Sequence, residues 1–449
     1  MSSSRLAHFS AGRMILFALF CTILTGTFLL SLPIARKTAI SFIDLLFTAT
    51  SVTCVTGIFT VPLEQYTFFG HCVILFLIQV GGLGVITLTL FLLSLFMNLG
   101  LATQLMAGKL LELESWKNIK QLLLFIIIIT LSFELIGAAC FFNTFSRMYP
   151  LKHALFYSVF HSVSFFCNAG ITLFGNGIAI MSTNYTLLLT ATFLMLAGGL
   201  GFVTLYEIKQ YILHLKNKKM PHFSLQSKII LYGSLIGISI TALLVYALEY
   251  NNGFASLSPF QSILTTFFQA VSFRSTGFLT VPIVNLHLAT LLLIMIVSFI
   301  GSAPGSTGSG VKTTTVAVFI GVVKAAIEGH TAVNLAHRRI ARDQVNKAIA
   351  IISLSIFWVI LTTFCLLIVE TNFEFIEVIF EVMGAFTNLG LSLGITPYLS
   401  FMGKILLILT MVIGRIGSLT LILALRKIAL RQEARMDQIS YPEERIMLS

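Results

Sequence analysis

Charge is what this chain has least of. Asp, Glu, Lys and Arg together make up 10% of its 449 residues, against 57% hydrophobic. Mean hydropathy is +0.96. A water-soluble domain of this size needs more polar surface, so the composition excludes one and describes a multi-pass membrane protein. Cysteine offers no scaffold either. The six (21, 54, 72, 140, 167 and 365) form no CxxC and lie in or beside apolar segments, which supports neither a disulfide framework nor a zinc site. There is no dinucleotide fingerprint and no separate cytoplasmic domain. Gly305 to Gly310 has Walker A spacing, but Val311 intrudes before Lys312 and an apolar span precedes it instead of a strand. Ser164, His161 and Glu134 form no nucleophile–base motif, so the chain does not read as an enzyme.

Apolar runs near 14–32, 68–97, 121–142, 184–206, 229–248, 286–300, 348–369 and 401–425 predict eight spans in four pairs. The run at 286–300 is short unless it continues into the Gly/Ser-rich stretch after it. Arg13 precedes the first run but no small-residue cleavage site follows, so that run reads as a span and not as a signal peptide. The net charge of +11 is unevenly placed. Basic residues gather in 98–121 (Lys109, Lys117, Lys120), 205–228 (Lys209, Lys216, Lys218, Lys219, Lys228), 324–347 (Lys324, Arg338, Arg339, Arg342, Lys347) and the tail after Arg426. This alternation is a topology signal that puts both termini and these loops on the cytoplasmic side, with the bilayer and not nucleic acid as the partner of the charge.

Four glycines recur at a near-constant interval: Gly57, Gly170, Gly277 and Gly390, spaced 113, 107 and 113 residues apart. Each has a phenylalanine ten residues upstream (Phe47, Phe160, Phe267, Phe380), expected to pack behind the glycine segment. Thr56-Gly57 leads to Thr60-Val61-Pro62 as Thr276-Gly277 leads to Thr280-Val281-Pro282. Such a period implies four copies of one unit. Before each glycine lies an apolar segment, 41–55, 151–166, 259–273 or 373–386, of about 13–16 residues, too short to cross about 30 Å of hydrocarbon. It must enter the membrane and return, which is allowed only where protein or a water-filled cavity covers it.

The predicted architecture is therefore all-α, with four pseudo-repeats of span, pore helix, extended return and span around one central pore. Their bounds are 11–98, 120–213, 228–325 (with an intramembrane loop at 301–315) and 346–430, followed by a cytoplasmic tail at 431–449. The C-terminal dipole of each half-helix would favour a cation at the centre. Carbonyls of Val55-Thr56-Gly57, Asn168-Ala169-Gly170, Ser275-Thr276-Gly277 and Asn388-Leu389-Gly390 would replace its hydration shell. With no carboxylate at these positions, a monovalent ion fits better than a hard divalent one.

The second spans repeat as well. Gly81-Gly82-Leu83-Gly84-Val85-Ile86-Thr87 matches Gly198-Gly199-Leu200-Gly201-Phe202-Val203-Thr204, and the last reads Gly414-Arg415-Ile416-Gly417-Ser418-Leu419-Thr420. Arg415 stands where the other copies have glycine, and an intramembrane arginine faces a cavity or a partner. In the third repeat, Gly305, Gly308 and Gly310 with Pro304 preclude a continuous helix before Lys312.

With these segments the sequence resembles, over essentially its whole length, the membrane subunits of Ktr-type potassium uptake systems in the Ktr/Trk/HKT superfamily. Only about a dozen residues precede the first span, which favours Ktr over Trk-type relatives with two further spans. The resemblance implies potassium at the four filter glycines. It implies gating by the 301–315 loop (Gly305, Gly308, Gly310, Lys312) and by Arg415 below the filter. It implies a homodimer seated on a cytoplasmic ring of regulatory subunits that bind ATP or ADP, this chain itself carrying no cofactor. Sodium dependence, or a sodium-coupled or less selective secondary transporter, remains the alternative. Loops 205–228 and 324–347 are docking candidates, although lipid headgroups account equally for their charge.

Overall fold

A computed structural model describes residues 11–84, 119–174, 178, 184–215, 223–255, 257–330 and 332–417. The basic residues Lys109, Lys117, Lys216, Lys218 and Lys219, the motif residues Val85–Thr87 and Ser418–Thr420, and the 431–449 tail lie outside them.

One order of elements recurs four times among the described residues: long helix, short helix, extended segment, helix. The long helices are α1 (Ala11–Ser31), α4 (Ile119–Phe145), α8 (Leu225–Glu249) and α12 (Arg342–Val369). The short ones are α2 (Phe42–Thr53), α5 (Leu151–Phe166), α9 (Pro259–Ser272) and α13 (Phe375–Thr387). Side chains explain several of the short-helix starts. Ser41 accepts the Asp44 N–H, and Ser258 and Gln261 form a reciprocal capping box. The helices that follow are α3 (Phe68–Leu83), α6 (Tyr185–Gly199) with α7 (Phe202–Leu215), α10 (Leu288–Phe299) with α11 (Thr313–Ile327), and α14 (Phe401–Ile416).

The long helices keep large apolar side chains such as Leu135, Leu243 and Phe364 on the outside, as a lipid-facing surface requires. The short helices are buried over their C-terminal halves. One hydrophobic cluster runs from Leu19 to Ile413 and joins all four quarters.

The run at 184–206 is not the single span its hydropathy suggests. α6 and α7 meet at 102° across Leu200-Gly201. Gly201 adopts φ +84°, and Phe202 donates its N–H to Gly305 O at 2.9 Å, so the bend is made by glycine and held by another quarter of the chain. α3 and α14 end at the matching glycines, Gly84 (φ +82°) and Gly417 (φ +89°). Between α11 and α12 a two-stranded hairpin, β1 (Asn334–Leu335) and β2 (Arg338–Arg339), presents its arginines to solvent.

Candidate functional site

The short helices end in hydrogen-bonded turns. Thr56 N–H reaches Ser51 O at 2.7 Å, Ala169 N–H reaches Ser164 O at 2.8 Å, and Leu389 N–H reaches Gly384 O at 2.9 Å. Each turn places the preceding residue in the left-handed region: Val55 (φ +60°), Asn168 (+56°) and Asn388 (+54°). Asparagine tolerates this conformation, whereas β-branched Val55 is strained by it. The third quarter differs. Thr276 and Gly277 both donate to Ser272 O, at 2.9 and 3.0 Å, and no residue between Ser272 and Gly277 has positive φ. One residue is missing there relative to the spacing from Ser51 to Gly57.

That missing residue corrects one sequence expectation. Phe47, Phe160 and Phe380 are buried behind their segments as expected, but Phe267 is 40% exposed. Phe268 takes the buried place, because the shorter turn advances the third helix by one position relative to its glycine. Behind the segments the same helix position carries a polar strut each time. Tyr66 OH donates to Thr48 Oγ1 at 3.2 Å, His161 Nε2 meets Thr172 Oγ1 at 3.0 Å, Gln269 meets Thr280 Oγ1 at 2.8 Å, and Glu381 accepts from Thr396.

The four glycines come together in a closed ring. A Cβ on Gly57 would stand 2.6 Å from Ala169 O. Cβ atoms on Gly170, Gly277 and Gly390 would overlap Thr276 O, Leu389 O and Thr56 O respectively. Each segment's glycine thus packs on the carbonyl oxygen of the next, in chain order, and the fourth returns to the first. All four glycines have positive φ, between +67° and +89°. Four carbonyl oxygens, of Thr56, Ala169, Thr276 and Leu389, meet at this ring.

Fourfold in its backbone, the ring is only twofold in its side chains. Thr276 Oγ1 donates to Asn168 Oδ1 at 2.7 Å, and Asn388 Nδ2 donates to Thr56 Oγ1 at 2.6 Å. Where the preceding segment has no asparagine, the ring residue is Ala169 or Leu389, with no hydroxyl to offer.

The second helices pack directly beneath. Cβ atoms on Gly81, Gly198 and Gly414 would overlap the carbonyls of Thr53, Phe166 and Phe386, the same position at the end of three short helices. Gly301, their counterpart, lies instead against Ser309 of its own loop. The loop from Gly301 to Lys312 crosses to the second quarter: Ala303 N–H reaches Gly199 O and Thr307 N–H reaches Gly198 O, both at 3.2 Å. Gly305 (φ +62°) and Gly310 (φ +78°) make its corners, and Lys312 Nζ donates to Gly308 O at 2.8 Å. Gly308 has no room for a side chain, with Ser275 Oγ 2.9 Å from where its Cβ would stand.

Arg415 reaches into this loop from α14. Its Nη1 donates to Thr307 O at 2.7 Å and to Ser309 Oγ at 2.9 Å, and its Nη2 donates to Gly81 O. Among the described residues no carboxylate accepts from it. A cavity of about 250 Å³ beside the loop is lined by Pro304, Lys312, Thr315, Lys347, Phe386 and Arg415. Three contacts escaped sequence reasoning. The Asn168 and Asn388 side chains cross between segments, and Arg274 donates from Nη2 to Thr313 Oγ1 at 2.9 Å. An arginine directly after a sub-spanning helix was the available signal for the last. Ser164, His161 and Glu134 each bond elsewhere, to Ile171, Thr172 and Gln79.

A family model described as a cation transport protein, TrkH, matches residues 20–437. Over 440 residues the chain is 34% identical to Ktr system potassium uptake protein B of Bacillus subtilis, covering 97% of this chain and 96% of that one. It is 33% identical to the protein of the same name from Vibrio alginolyticus (97% and 94% covered) and 31% identical to potassium/sodium uptake protein NtpJ of Enterococcus hirae (96% and 95%). Among solved structures, the potassium transporter TrkH from Vibrio parahaemolyticus superposes with a TM-score of 0.70 at 20% identity, covering 92% of this chain and 85% of that one. At that identity the match shows the fold.

Proposed function

Because the chain belongs to the TrkH family of cation transport proteins, we propose that it is a cell-membrane protein that takes up potassium through the ring of Gly57, Gly170, Gly277 and Gly390. The observation that carries the reading is the closed cycle in which each glycine packs on the next segment's carbonyl. Backbone carbonyls at the C-terminal ends of four half-helices replace water around a monovalent cation and offer no carboxylate to trap a divalent one.

The loop at 301–315 is the gate in this reading, and Arg415 is its latch. The latch's charge sits below the ring and opposes cation passage until the loop and arginine move together. Both termini face the cytoplasm. Two copies pair on a cytoplasmic ring of nucleotide-binding subunits that contact the basic loops 205–228 and 324–347. The word "system" in the relatives' names and the exposed arginines of the β1–β2 hairpin support that partner. NtpJ's description as a potassium/sodium uptake protein supports a second reading, in which sodium is coupled or also carried.

Rubidium or potassium uptake into proteoliposomes holding the full chain tests the first reading, with Gly277→Ser in parallel. Uptake that exceeds sodium uptake and is lost in the variant is the expected result. Absence of uptake even with the regulatory subunit added overturns it, and uptake of potassium that requires sodium selects the second reading.

A further inference from the structure

Asn168 holds a place that no other ring-forming residue shares. Its side chain is buried and bonds in three directions. Oδ1 accepts from Thr276 Oγ1, while Nδ2 donates to Thr307 Oγ1 at 2.7 Å and to Phe166 O at 3.4 Å. Thr276 supplies one of the four ring carbonyls, and Thr307 is the loop residue whose carbonyl accepts from Arg415. One amide therefore joins ring and loop. Its counterpart Asn388 also clamps a ring threonine, Thr56, but by donating from Nδ2, and its second partner is Met411 O on α14, which is no part of the loop.

We propose that Asn168 is a positioning residue through which the state of the 301–315 loop sets the ring's discrimination between potassium and sodium. The inference rests on reading the ring as the ion filter and the loop as its gate. Thr307 cannot leave Arg415 without also taking its hydroxyl from Asn168. A buried amide stripped of a partner turns to find another, because an unmade hydrogen bond in a dry site is costly. Asn168 cannot turn without releasing Thr276, whose carbonyl then shifts within the ring. The loop's backbone bonds to Gly198, Gly199 and Phe202 sit on the second-span helices α6 and α7, and Thr307 Oγ1 also donates to Phe166 O at 3.0 Å, but none of these partners is a ring residue. Coupling of this kind is reciprocal: an ion that fits the ring holds Thr276, Asn168 and hence Thr307 in place.

The test compares Thr307→Val, which keeps shape and removes the hydroxyl, with Thr307→Ser, which keeps the hydroxyl. In proteoliposomes of the full chain, potassium and sodium are titrated as competitors of rubidium uptake. Thr307→Val lowers the ratio of sodium's half-inhibitory concentration to potassium's by about fivefold or more, a usual size for coupling between sites. Thr307→Ser preserves the ratio, and adding Asn168→Ala to Thr307→Val lowers it no further. A Thr307→Val protein that conducts faster with an unchanged ratio overturns the proposal, since the loop would then gate without informing the ring. So would an additive double variant. Should Thr307→Val fail to fold, reciprocity gives an independent measurement. Maleimide labelling of Ser306→Cys, counted above the parent's six cysteines, slows when potassium replaces sodium, and equal rates in both ions overturn the proposal. A parent chain without potassium preference defeats the filter reading itself, an outcome distinct from all of these.

Discussion

The third quarter of this molecule and the other three solve the same problem differently. Quarters one, two and four end their short helices with a left-handed residue, then seat a second-helix glycine against the helix end. The third quarter drops the left-handed residue, carries Arg274 at the corner, and replaces helix with loop where Gly301 would otherwise pack. Yet its ring glycine sits in the same cycle as the rest. The backbone ring keeps its symmetry, as the proposed filter for a spherical ion requires. Beyond the ring's twofold side-chain pattern, the largest departures from symmetry lie one layer below, in the loop and the helix ends.

Breaking the ring should have the largest effect. Gly277→Ala places a methyl onto Leu389 O and forces φ +78° on a side-chain-bearing residue. Rubidium uptake should fall by more than about tenfold, given strain of a few kcal/mol. Gly57→Ala, with its Cβ 2.6 Å from the nearest oxygen, should be hurt less. Equal losses at both would deny the ranking. Next comes the loop. Arg415→Ala removes three hydrogen bonds and a buried charge, and deletion of residues 305–312 removes the loop body. Both should raise cation flux at equal expression, and lower flux in either would count against the latch. Arg274→Gln should raise flux less, because Arg274 holds the end of the loop by one bond to Thr313. If it matches Arg415→Ala, the two arginines share the load.

The smallest effect tests the twofold side-chain pattern. Val55→Asn should cost about 1 kcal/mol or more in a thermal unfolding series, since the relief of backbone strain is outweighed by a buried amide facing hydroxyl-free Ala169. Adding Ala169→Thr should recover that loss by rebuilding the clamp that joins Asn388 to Thr56. A double variant no better than the single one would show that the asparagines hold the ring by something other than this bond.

Much of this plan was legible before any coordinates. The four glycines, the short helices before them and the glycine-rich interruption at 301–315 all follow from spacing, length and the chemistry of backbone in hydrocarbon. Phe267 shows where such reading fails. Two phenylalanines are adjacent there, Phe267 at the ten-residue offset and Phe268 at nine, and only the shorter turn after Ser272 puts the second in the buried place. The bend at Gly201 was hidden because hydropathy averages over a window longer than the break, and the residues that bend it are themselves apolar. The crossings of Asn168 and Asn388 depend on which segments become neighbours. That is a long-range fact, and a polar residue beside a filter carries no local mark of it.

The closing contact of the ring joins residues more than three hundred positions apart. Gly390 packs on Thr56, and Lys404 Nζ pairs with Asp44 Oδ1 at 2.7 Å across the same seam. A ribosome making this chain must therefore deliver its final quarter before the first has a neighbour on both sides. Until then Asp44 lacks its lysine and the Thr56 carbonyl stands at an open edge of the assembly, where a backbone group without protein cover is poorly tolerated in a membrane. The closed glycine ring is thus the last part of the molecule to form, and chains arrested before residue 390 lack its fourth member.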